Sequence, residues 1–133
     1  MIKDIKDLNK RFDITNTVRN MEPNLKKEYL DFRINFIKEE LTELQDARHL
    51  NNADDIVDAF IDLVVVALGT LDSFDVDIEK AWARVHFANM IKEKDINDKR
   101  ENKHNLPDLI KPELWKAPYH QDNVGTLKEI KND

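Results

Sequence analysis

Leu30, Ile34, Ile37, Leu41 and Leu44 recur every three or four residues along an otherwise polar stretch. That period gathers apolar side chains on one face of an α-helix. The pattern predicts a long helix from Asn24 to about Arg48, opened by Pro23, whose fixed φ suits a first helical turn. Ile5, Leu8 and Phe12 repeat the spacing more briefly and predict an amphipathic helix over about Lys3 to Phe12. Asn51 and Asn52 supply a turn, and Asp54 or a neighbour can cap the segment after it. That segment, 55 to 71, is apolar almost all round. Val64 to Val66 would suit a strand, but the run far exceeds the roughly 5–6 residues of an ordinary one, so it predicts a helix lying in the core. Asp77 can cap a last helix, with Ile78, Ala81, Trp82, Val85, Ala88 and Asn89 on one side, running to about Lys92.

From Asp95 onward the chain is polar and rich in Asn and Lys, then carries three of its four prolines, with Trp115 as its large anchor. The expected architecture is all-α, a four- to five-helix bundle. It forms a single domain over 1–133, with a helical core of about 24–94 and an extended C-terminal arm of about 95–133.

Composition changes the picture in three ways. A chain of 133 residues with 41% hydrophobic and 36% charged residues can build one core, but a small one that gains from being shared with a second copy. A formal charge of −6 repels phosphate backbones, and no basic run with interleaved aromatics occurs, which argues against nucleic acid as a partner. A small anion remains admissible if a metal ion inverts the local charge. The absence of cysteine removes disulfides, thiolate catalysis and zinc–thiolate sites together. The start, Met1-Ile2-Lys3-Asp4, has no apolar leader, and the longest strictly apolar run, Leu63 to Leu68, is too short to span a bilayer. The reading is a cytoplasmic protein without membrane partners.

Some carboxylates sit where the pattern calls for apolar residues. On the long helix, Glu40 falls within the edge of the apolar stripe, with Glu43 and then Glu39 fanning outward by about 60° and 100°. On the next, Asp55, Asp58 and Asp62 share one stripe about 60° wide, and Asp62 stands among Phe60, Ile61, Leu63 and Val64. An unpaired buried carboxylate costs on the order of several kcal/mol, so a cation must compensate. Lys or Arg ordinarily supplies it, yet none occurs between Leu50 and Glu79, and Lys38 projects away from the acidic edge. Arg33 is the exception, able to pair with Glu40 or to hold a phosphate. Oxygen-only ligands favour Mg²⁺, with Mn²⁺ also suited, over zinc. A di-iron bundle needs Glu-x-x-His pairs, and the nearest match is the single Asp46-x-x-His49.

Taken in order, Glu39-Glu40-x-x-Glu43, Asp58-Ala-Phe-Ile-Asp62, Trp82-Ala-Arg-Val-His86-Phe-Ala-Asn89-Met90-Ile-Lys92 and Lys111-Pro-Glu-Leu-Trp115-Lys-Ala-Pro118 resemble the EExxE, ExxD, VHRSNMxK and KPPGWRPP motifs of the MazG and phosphoribosyl-ATP pyrophosphohydrolase-like superfamily. The resemblance runs from about Arg33 to Tyr119. It implies hydrolysis of a nucleoside triphosphate between its α and β phosphates, releasing NMP or dNMP and pyrophosphate. It implies Glu40, Glu43, Asp58 and Asp62 as metal ligands, with Glu39 orienting or deprotonating the attacking water or joining a further metal, and Asp55 able to do likewise. Asn89, Lys92 and Lys94, with Arg33, are the expected substrate-binding groups, and a homodimer or homotetramer is the expected assembly. Two positions depart from the motifs: Ala59 stands where ExxD has glutamate, and Phe87 where VHRSN has arginine. They keep two alternatives open, a phosphoribosyl-ATP or modified-nucleotide substrate, and a helical interaction or regulatory module that has kept the fold without the chemistry.

Overall fold

The computed structural model describes residues 1–95 and 104–131. The Asn/Lys-rich start of the expected arm, 96–103, lies outside the described residues, as do 132 and 133. Among the described residues the fold is all-α apart from one pair of short strands. The chain divides into two compact units, Met1–Ile78 with Asn123–Asp133, and Glu79–Asp122.

In the first unit the helices are α1 (Ile2–Arg11), α2 (Ile14–Arg19), α3 (Pro23–His49) and α4 (Ala53–Ser73). Pro23 takes the first helical position of α3, as its φ predicts. Asn52 rather than Asp54 caps α4, its side-chain oxygen accepting the N–H of Asp55 at 3.2 Å. The short α2 has no counterpart in the periodicity, because six residues span too few turns to show a period. Two clusters make the core. Ile5, Leu68 and Ile78 pack with Ile2, Val65 and Leu71; Val18, Phe74 and Val76 pack with Tyr29, Leu30, Leu127 and Ile130. Each fully buried side chain of this size contributes roughly 2 kcal/mol.

The chain re-enters this unit at Asn123, whose side chain brackets the backbone of Asp77 through the Asp77 N–H at 2.9 Å and its carbonyl at 2.8 Å. A short 3₁₀ helix follows, Gly125–Glu129. Gly125 has φ +53°, and a Cβ there would run into the carbonyl oxygen of Phe74, so only glycine fits. Glu129 then reaches Lys26, which is 1% exposed and spends its ammonium on both Glu129 oxygens at 3.0 Å and on the Arg19 carbonyl at 3.1 Å.

In the second unit, α5 (Ile78–Met90) leads into β1 (Glu93–Asp95), which pairs antiparallel with β2 (Asp108–Ile110). Trp115 anchors the returning arm to α5, its indole N–H donating to the Ala88 carbonyl at 2.7 Å.

Two burial expectations are corrected. The apolar helix α4 is not enclosed all round: Val57, Phe60, Ile61 and Val64 are exposed, because the helix packs inward along the face of Ala59, Val66, Leu68, Gly69, Thr70 and Ser73. On α5, Trp82 is 53% exposed and Val85 is exposed, while Ile78 and Ala88 are buried. No helix among the described residues is long and apolar enough to cross a membrane.

Candidate metal and catalytic site

The most extensive contact between elements joins α3 and α4. They run antiparallel, since Tyr29 meets Ser73, Arg33 meets Thr70 and Val66, and Glu40 feels Asp62 and Asp58. Lys26, Arg33, Glu40 and Ala47, seven apart, form the inward line of α3, and all but the half-buried Arg33 are buried. Ile34 and Leu41, assigned to the buried stripe by periodicity, flank that line and are exposed. The inward face is therefore rotated towards Glu40.

Along one half of this interface every polar group named has a partner. The Tyr29 hydroxyl donates to Ser73 Oγ at 3.2 Å, and Ser73 Oγ donates to the Thr70 carbonyl at 2.6 Å. Arg33 donates from Nε to Thr70 Oγ1 at 2.9 Å and from Nη2 to the Val66 carbonyl at 3.2 Å, with its guanidinium 5.6 Å from the Phe36 ring. Arg33 is thus held on α4 rather than against Glu40.

The other half begins at Glu40. Its carboxylate is 7% exposed, and Oε2 is buried without a hydrogen-bond partner among the described residues. Burial pushes the carboxyl pKa up, and repulsion from Glu43, Asp62, Asp58 and Glu39, in that order, pushes it further. Every charged neighbour that shifts it is acidic. Among the described residues the buried carboxylate is Glu40, whereas Asp62 is half-buried and Glu39, Glu43, Asp55 and Asp58 are exposed. Beyond Glu40, Glu43, Asp46, Asp55 and Asp58 line a cleft of about 300 Å³ together with Ala47, Leu50 and Ala59. Ala59 is buried, so a methyl group stands where the motif has a glutamate. Asp46 went unassigned in the sequence, though its place three residues after Glu43 puts both on one helix face.

Among the described residues, no three acidic or imidazole side chains converge as a ready-made metal-ligating group. The orphaned Glu40 oxygen amid four further acids, with oxygen donors alone, fits a hard divalent cation.

Asn89, Lys92 and Lys94 belong to the second unit. Asn89 is exposed in the last turn of α5 and its carbonyl accepts the Lys92 N–H at 3.2 Å. The Lys92 ammonium lies 5.4 Å from the Trp115 ring centre, and Lys94 stands on β1 opposite Leu109.

The family model for phosphoribosyl-ATP pyrophosphohydrolase matches residues 5–89, more than half of the chain. The chain belongs to the phosphoribosyl-ATP pyrophosphohydrolase family. The match spans all the acids of the α3–α4 interface together with Asn89, and it supports a pyrophosphohydrolase type of activity on nucleotides. No curated protein and no solved structure matches the chain significantly.

Proposed function

We propose that the protein is a metal-dependent nucleoside triphosphate pyrophosphohydrolase of the cytoplasm. The observation that carries this reading is the buried, unpartnered Glu40 oxygen surrounded by Glu43, Asp62, Asp58 and Glu39. A helix pair that satisfies its other polar groups retains this one at a cost, and a bound cation offsets that cost. Glu40, Glu43, Asp58 and Asp62 would hold Mg²⁺, or Mn²⁺, with Asp55 as a further ligand in place of the glutamate absent at Ala59. When bound, the ion neutralises phosphate oxygens and lowers the pKa of water.

The chain's own residues do the rest. Glu39, exposed at the edge of the cluster, takes the proton of the attacking water. The water oxygen bonds to phosphorus as the bridging oxygen between the α and β phosphates departs, giving NMP or dNMP and pyrophosphate. Arg33, fixed by Thr70 and Val66, offers its remaining edge to phosphate, while Asn89, Lys92 and Lys94 contribute donors and positive charge. A dimer or tetramer fits the exposed apolar line Val57, Phe60, Ile61 and Val64 on α4. A monomer by light scattering would end that part of the reading.

Phosphoribosyl-ATP is a second candidate substrate, consistent with the description of the matched family. The test is pyrophosphate release from a panel of NTPs, dNTPs and phosphoribosyl-ATP with Mg²⁺ or Mn²⁺. Release by the parent that collapses in folded Glu40→Gln and Asp62→Asn variants is the expected result. Silence across the panel would favour a binding module.

A further inference from the structure

The second unit carries a groove unlike the acidic cleft in every respect. It has a volume of about 390 Å³, within the range of small-ligand sites, and Phe87, Ala88, Pro118 and Tyr119 dominate its walls. Phe87 is 67% exposed and Tyr119 58%, so two aromatic rings face water in a concave setting where a ligand ring would cover them. The charged residues of the wall are Arg84 and Lys116, with no acid among the described lining residues.

The walls are held in place. Arg84 donates to the Tyr119 carbonyl at 2.8 Å and lies 6.0 Å from the centre of its ring, while Asp122 grips the guanidinium bidentately. On the other side, Ala88 lines the groove and accepts the Trp115 indole N–H. Lys92 and Lys111 stand 5.4 and 4.9 Å from the Trp115 ring centre. Of these lysines and their neighbours, Lys116, next in sequence to Trp115, lines the groove itself and with Arg84 supplies its positive charge. An aromatic floor with a cationic rim suits a planar heterocycle bearing an anionic group.

We infer that this groove binds a nucleoside 5′-monophosphate moiety, its base against Phe87 and Tyr119 and its phosphate towards Lys116. The choice of a nucleotide over another anionic aromatic rests on the proposed activity; the aromatic-plus-anion chemistry does not. Phe87 thereby acquires a role, as a stacking surface where the superfamily motif has a cation.

The test uses the full chain in a chelator, so that the acidic cleft takes no part, and measures binding of the common ribo- and deoxyribonucleoside monophosphates, the matching nucleosides and ribose 5-phosphate. At least one monophosphate should bind, with ribose 5-phosphate roughly tenfold weaker or worse. Phe87→Ser, a change at an exposed position, and Tyr119→Ser should each weaken the monophosphate about fivefold or more, the loss that accompanies removal of a stacking ring. Lys116→Gln should weaken the monophosphate but not the nucleoside, and should flatten the salt dependence. Glu40→Gln should leave this binding intact, which separates failure of the groove from failure of the pyrophosphohydrolase reading. The inference is overturned if no monophosphate binds, if ribose 5-phosphate binds as well, or if both ring variants bind like the parent. It is equally overturned if Phe87→Ser dissociates an oligomer without altering nucleotide affinity, since a second copy would then occupy the groove.

Discussion

The two halves of the inward face of α3 are satisfied to different degrees. Around Lys26, Tyr29 and Arg33 each inward polar group meets an oxygen of complementary character, from Glu129 and the Arg19 carbonyl to Ser73, Thr70 and the Val66 carbonyl. Around Glu40 the charged groups that shift its carboxyl are all acids. Hydrogen bonding explains the first half as scaffold. Since an unsatisfied buried group is costly, the second half is where a stability-driven design would have been different.

The largest contrast should appear in activity. Glu40→Gln is expected to lower pyrophosphate release about a thousandfold, close to 4 kcal/mol of barrier, whereas Tyr29→Phe should stay within about threefold. Equal losses would dissolve the distinction between the halves. Stability should invert the order. Lys26→Ala leaves Glu129 and the Arg19 carbonyl without their ammonium, and denaturant unfolding should report a loss of about 3 kcal/mol, at the low end for a buried pair because Glu129 keeps partial access to water. Thr70→Val removes the acceptor of Arg33 Nε and should cost about 1 kcal/mol by the same measurement, with pyrophosphate release declining only modestly. A stabilised Thr70→Val protein would mean that the satisfied half contributes nothing as a network.

The smallest effect is the most diagnostic in sign. The pKa of Glu40 is raised in the folded protein, so its charged form penalises folding: the penalty is full above the folded pKa and vanishes below the ordinary value of 4.5. In a chelator, Glu40→Gln should therefore melt slightly above the parent at neutral pH, with the gap closing as pH falls towards 4.5. A lower melting temperature for the variant at neutral pH would show that the carboxylate stabilises the apoprotein, against the orphaned-oxygen argument.

Much of this was legible in the sequence, for identifiable reasons. The long helices at 23–49 and 53–73 announced themselves because many turns of period accumulate in each. The acids at 40, 43, 58 and 62 stood out because charge on an apolar face is expensive wherever it occurs. The motifs named the superfamily, and the family match agrees. Less legible was which acid is buried. Asp62 has apolar sequence neighbours, but those neighbours, Phe60, Ile61 and Val64, point outward. Periodicity fixes which residues share a face, not which face turns inward.

The chain by itself, then, determined the helices, their acidic stripes and the family, since these depend on interactions between residues a few positions apart. Only the tertiary structure decided that Lys26 closes on Glu129, that Arg33 serves α4 instead of Glu40, and that Glu40 is the acid left without a partner. Those outcomes depend on which groups meet across distant parts of the chain. A side chain's partner is set by the packing of the element opposite, about which its own neighbours in sequence carry little information.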